Sequence, residues 1–205
     1  MKKIIQTISA LRKDKKLVDG IDSRIRQFEQ FSHYPDSKWF SELCYCLLTA
    51  NSSAAICLKI QAEAEKNDAF IKLGRKKLSE FLRKNGYRFY NKRAEYIVKA
   101  REFIDIKRHI QKKDDRAARE FLVQNVKGLG WKEASHFLRN TGRKNVAIID
   151  RHILRSLRFK DVKALNEKKY LEIEKKLEKI AGHSNLNLAE LDLYLWRDQT
   201  GKVLK

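Results

Sequence analysis

One stretch of this chain, Val126 to His152 (VKGLGWKEASHFLRNTGRKNVAIIDRH), holds side chains whose types and spacing can do covalent chemistry. Gly128 and Gly130 bracket Leu129 in a turn too short to recognise anything by side chains, so its use is to present main-chain groups to a ligand. The turn leads into a helix beginning near Trp131, where free N–H groups and the helix dipole both favour an anion such as a phosphate. Lys132 stands in the first turn of that helix. There the positive dipole end and neighbouring cations disfavour the ammonium form, the condition for a neutral amine that attacks an electrophilic carbon. Asp150 follows the apolar run Val146 to Ile149 and reads as the N-cap of the next helix. A carboxylate held there can steady a developing positive charge or help deprotonate the amine. Arg151 and His152, in the first turn after it, are candidate phosphate contacts. Each feature also has a plainer reading: a corner between two helices, a solvated lysine, a helix cap, two surface cations.

Composition says what such groups would act on. The 205 residues carry 46 Lys and Arg against 26 Asp and Glu, a formal net charge of +20 that points to a polyanionic partner, with nucleic acid the first candidate. No stretch approaches the ~18 unbroken apolar residues of a membrane span, so a bilayer partner is not expected. The start, MKKIIQTISALRKDKK, has a basic flank but an interrupted apolar part, and reads as an amphipathic helix rather than a signal peptide. Cys44, Cys46 and Cys57 are odd in number and lie in a helical region, which argues for reduced thiols and a cytoplasmic setting. Without a C-x-x-C pair, a His/Cys cluster or four cysteines near the C-terminus, neither zinc nor an iron–sulfur cluster is expected. With DNA as partner, the amine can attack C1′ of a deoxyribose as the base leaves, and the imine can undergo β-elimination at the 3′ phosphate.

The elements that must position these groups are helical. One proline, Pro35, and eight glycines leave few breakers, and apolar residues recur at three-and-four spacing through most of the chain, which predicts an all-α fold. Trp39, Phe40, Leu43, Leu47, Leu48, Ile56 and Ile60 predict two buried helices meeting near Asn51-Ser52-Ser53, with Ser52 or Ser53 as cap of the second. Val146 to Ile149 reads as an extended connector, because no second strand is available to pair with it. Tyr170, Ile173, Leu177 and Ile180 predict a long helix stopping at Gly182, and Asn187 with Glu190 forms a capping-box pattern for a last helix that ends at Gly201.

GLGWKEAS…VAIIDRH resembles the helix-hairpin-helix plus Gly/Pro…Asp motif of the base-excision glycosylase superfamily, with Lys132 and Asp150 on its catalytic lysine and aspartate. The departure is Val126-Lys127, where the superfamily usually carries Leu-Pro; it touches no reacting group. Over nearly its whole length the chain is similar to the compact archaeal-type 8-oxoguanine DNA glycosylases, on the segments ELCYCLLTANSSA, GYRFYNKRAEYI, GLGWKEASHFLRN, VAIIDRHIL and ELDLYLWRDQTGKVLK. The resemblance implies two helical domains flanking a DNA-binding cleft, one over 37–143 containing the hairpin, the other from 1–36 plus 144–205. It implies a bifunctional glycosylase and apurinic-site lyase that acts as a monomer on double-stranded DNA containing 8-oxoguanine, with no cofactor save a monovalent cation that the hairpin carbonyls can hold. Asn51 falls on the polar wedge that enters the duplex, and Gly128, Leu129 and Gly130 on the DNA-binding hairpin. Trp196 resembles the aromatic on which the extruded purine stacks, and Lys205 the C-terminal lysine whose carboxylate accepts hydrogen bonds from the guanine N1 and N2 edge. Asn85, before Gly86, is a further candidate for the base pocket. Two rival readings are a non-enzymatic helix-hairpin-helix module, which needs neither Lys132 nor Asp150, and a glycosylase of the same superfamily for another lesion.

Overall fold

The computed structural model describes residues 1–159, 165–201 and 203. Its described residues form α-helices joined by short turns and two single 3-10 turns, with no β-strand among them. In chain order the helices are α1 (Lys2–Leu11), α2 (Lys15–Gln30), α3 (Asp36–Thr49), α4 (Ala54–Lys66), α5 (Ala69–Lys72), α6 (Arg75–Lys84) and α7 (Tyr90–Ala100). They continue with α8 (Ile106–Ile110), α9 (Asp115–Asn125), α10 (Trp131–Asn140), α11 (Arg151–Ser156), α12 (Glu167–His183) and α13 (Leu188–Thr200). None is long and apolar enough to cross a membrane.

The chain divides into two compact units. One comprises His33–Phe137; the other is built from both chain ends, Met1–Ser32 with Leu138–Lys205. These limits differ from the sequence expectation of 37–143, because the second boundary falls inside α10. The reason is Arg139: its guanidinium is 3% exposed, ion-paired to Asp192 at 2.7 Å and stacked over the Phe28 ring, so the last turn of α10 belongs with α2 and α13.

Within the central unit α3 is the core element. Every residue from Trp39 to Thr49 is buried, and Trp39 meets Phe137 of α10 edge to face with ring centroids 6.1 Å apart. All three cysteines are buried free thiols. In the other unit, Leu17, Ile21, Ile25 and Phe28 form one face of α2, spaced as a helix stripe must be, and pack with Ala189, Leu193 and Tyr194 of α13. The capping box is present as expected: the Asn187 side chain accepts from Glu190 N–H and the Glu190 carboxylate from Asn187 N–H. Gly201 ends α13 in the left-handed conformation, φ 75°. Helix α12 runs one residue past Gly182, to His183.

The Val146–Ile149 connector is buried and forms no strand. Its polar groups are met by α12 instead. Ala147 N–H donates to Glu174 (2.8 Å), the Tyr170 hydroxyl donates to the Ala147 carbonyl (2.6 Å), and Ile149 N–H donates to the same hydroxyl (3.2 Å). This bracing delivers the chain to Asp150 in a defined direction.

Candidate active site

In the central unit, α9 ends at Val126 and the chain turns back on itself in a single step, with Leu129 N–H donating to the Val126 carbonyl at 3.1 Å. Gly128 sits at φ 97°, which the turn requires. Arg119 of α9 pins the two hairpin helices together: it is buried, donates to Ser135 of α10 at 3.2 Å, and lies 5.0 Å from the Trp131 ring centroid. Helix α10 then begins at Trp131, and Ala134 N–H donates to the Gly130 carbonyl at 2.9 Å.

A Cβ on Gly128 would lie 2.3 Å from the Tyr96 ring of α7, in a conformation that L-residues avoid. Gly128→Ala is therefore expected to cost about 2 kcal/mol, roughly 4–8 °C in unfolding temperature, and to weaken DNA binding with it. Calorimetry beside a filter-binding titration checks this, and an unshifted transition would show that the turn has room to relax.

Lys132 occupies the second position of α10. Its side chain is 28% exposed, so the amine is reachable, and Nζ lies 3.4 Å from the Glu133 carboxylate, itself only 13% exposed. Glu133 was not singled out from the sequence, though a Glu at the third position of a helix is a recognisable signal of a side chain turned back toward the helix start. The charge of Lys132 is also felt at Cys57, on the first turn of α4. Burial pushes that thiol up to about 11, against a hydrogen bond with Ser52 and the positive charges of Lys132 and Arg93. The thiol therefore stays protonated and is a poor nucleophile. Ser53 takes the N-cap position of α4 but makes no side-chain capping bond.

Asn51 stands at the turn between α3 and α4, exposed and left-handed at φ 59°. Three side chains from the segment after α6 hold the end of α3 beneath it. The Tyr87 hydroxyl donates to Leu48 carbonyl (2.6 Å), Arg93 to Ala50 carbonyl and Arg88 to Asn51 carbonyl (3.3 Å each). These orphan helix carbonyls attract donors, and cations suit the negative end of the dipole. The cationic character of GYRFYNKR was visible in the sequence; its partners were not. Asn85 ends α6: its amide donates back to the Phe81 carbonyl at 2.9 Å, while Gly86 at φ 76° completes the helix stop.

In the other unit, Asp150 caps α11. One carboxylate oxygen accepts from both His152 N–H (2.8 Å) and Ile153 N–H (2.9 Å), leaving the second oxygen outside the cap. Arg151 is exposed beside it. The His152 ring meets Trp196 of α13 edge to face, centroids 4.9 Å apart at 70°. Trp196 is half-buried with its indole N–H in the interior. Lys205 lies outside the described residues. Among those described, no group of three or more His, Cys, Asp or Glu is placed to hold a metal ion.

A family model described as 8-oxoguanine DNA glycosylase matches residues 21–186. The 8-oxoguanine DNA glycosylase/AP lyase of Methanocaldococcus jannaschii is 50% identical over 208 residues, covering 98% of this chain and 99% of that protein. The one from Thermotoga maritima is 37% identical and is matched over the full length of both chains. A crystal structure of the Methanocaldococcus jannaschii 8-oxoguanine glycosylase/lyase in complex with a 15mer DNA containing 8-oxoguanine superposes with a TM-score of 0.95 at 49% identity, covering 99% of this chain and all of that one. The Thermotoga maritima structure gives 0.93 at 37% identity.

Proposed function

This chain belongs to the 8-oxoguanine DNA glycosylase family, and we propose that Lys132 and Asp150 carry that family's reaction in it. It is a bifunctional enzyme of base-excision repair that removes 8-oxoguanine from duplex DNA and cleaves the strand at the abasic site. The observation that carries the assignment is the reachable Lys132 amine, one helix residue beyond a turn built to receive a phosphate.

The reaction follows from these groups. Lys132 loses a proton, for which the touching Glu133 carboxylate is the nearest acceptor, and its lone pair attacks C1′ while the glycosidic electron pair departs with the base. The Asp150 carboxylate offsets the positive charge that develops on the sugar. Ring opening yields the imine, loss of a C2′ proton expels the 3′ phosphate, and water then releases the lysine. Backbone phosphates dock on the amides at the start of α10, with Gly128, Leu129 and Gly130 keeping the approach free of side chains, and on exposed Arg151. The carbonyls of Gly128 and Leu129 lie outside the bond that closes the turn, so these residues would hold a monovalent cation, which would supply positive charge toward a phosphate there.

Asn51, exposed at the tip of its braced turn, fills the gap in the duplex, and Trp196 stacks the extruded base. The free carboxylate of Lys205 accepts from the N1 and N2 edge of guanine, an edge that adenine cannot offer. The enzyme works as a monomer in the cytoplasm, on chromosomal DNA. The test is excision from duplexes carrying 8-oxoguanine, guanine or adenine, by the full chain and by a chain lacking Lys205. The full chain should release 8-oxoguanine, and truncation should cost about 10²-fold or more through the unpaired donor edge. Unimpaired excision by the truncated chain would remove the carboxylate from the pocket.

A further inference from the structure

His152 is joined to both chemical features of its unit. Its main-chain N–H donates to the Asp150 carboxylate at 2.8 Å, and its imidazole lies edge to face against Trp196 at 4.9 Å. The Trp196 indole N–H is buried with no hydrogen-bond partner, so packing alone orients the ring. The His152 and Trp196 ring planes stand 70° apart, so the contact is edge to face rather than stacked. Helix α11 has only six residues and is fastened at its start by the Asp150 cap, so the imidazole is held where the cap places it.

We propose that His152 is a positioning residue that sets the Trp196 ring in register with the Asp150 carboxylate, so that the stacked base and the charge that assists its departure are aligned by one side chain and its own backbone. The inference rests on the reading of Trp196 as the stacking platform. It separates His152 from Arg151: the arginine is free to meet a phosphate, whereas the imidazole is engaged with the indole.

The experiment is a double-mutant cycle read by single-turnover release of 8-oxoguanine from duplex DNA, with strand cleavage at a preformed abasic site measured in parallel. His152→Ala should slow base release roughly threefold to tenfold and slow abasic-site cleavage less, because no base needs stacking there. His152→Phe, which keeps a ring at the indole, should restore most of the loss. In a Trp196→Ala background, His152→Ala should add little. Losses that multiply in the double variant would overturn the coupling, as would His152→Phe falling with His152→Ala in both activities, the signature of a lost phosphate contact. Full base release by Trp196→Ala would overturn the platform reading, and the coupling with it. Unfolding temperatures of the single variants separate either result from a failure to fold.

Discussion

Lys132→Gln should give no borohydride-trapped adduct with 8-oxoguanine duplex, and base release should fall by at least about 10³-fold, on the scale seen when a covalent nucleophile is removed. Glutamine is polar and one bond shorter than lysine, and its amide cannot form an imine. The change also takes the cation away from Glu133, a pair that is partly exposed and worth no more than about 1 kcal/mol, so the protein should remain folded with an unfolding temperature within a few degrees of the parent. DNA affinity should drop only modestly, since one cation among 46 Lys and Arg is lost. A trapped adduct in Lys132→Gln would mean that another amine is the nucleophile, and the assignment of the hairpin helix would fail.

Asp150→Asn separates the capping of α11 from the electrostatic role proposed for the same carboxylate. The capping oxygen accepts from two backbone N–H groups, and an asparagine oxygen can do the same, so α11 should keep its start. What asparagine lacks is charge. Base release should fall by about 10²–10³-fold, the magnitude associated with losing one preorganised electrostatic contact to a transition state, while the unfolding temperature barely moves. Asp150→Ala removes cap and charge together and should lose about 1 kcal/mol of stability in addition. If Asp150→Asn retained full activity and only Asp150→Ala were impaired, the residue would be structural.

The contrast between these variants reflects how much of the site is local. The Asp150 cap closes over two and three residues, the Asn187–Glu190 box over three, and the hairpin bond from Leu129 to Val126 over three. Such interactions depend on neighbours in the chain, and residue type at fixed spacing is enough to read them. The same holds for the Val146–Ile149 connector, where four consecutive apolar residues with no partner strand could only be a buried crossing. Asn85 shows how such a signal divides: Asn-Gly after a helix reads as a helix stop and as a polar pair near a pocket, and the bond to the Phe81 carbonyl accounts for the former.

Residue types and short-range spacing therefore determined the helical class, the glycine turn, the place of Lys132 at the start of its helix and the capping carboxylate, because each is set by contacts within one helical turn. The tertiary structure decided which distant side chains serve them. Arg88 and Arg93 reach the end of α3 across 37 and 43 residues, Glu174 reaches the connector across 27, and His152 finds Trp196 on another helix. It also decided that the chain leaves its central unit inside α10, where Arg139 pairs with Asp192 across 53 residues. Partners separated by tens of residues leave no periodic trace in the sequence; they are chosen when whole helices pack, and only coordinates record that choice.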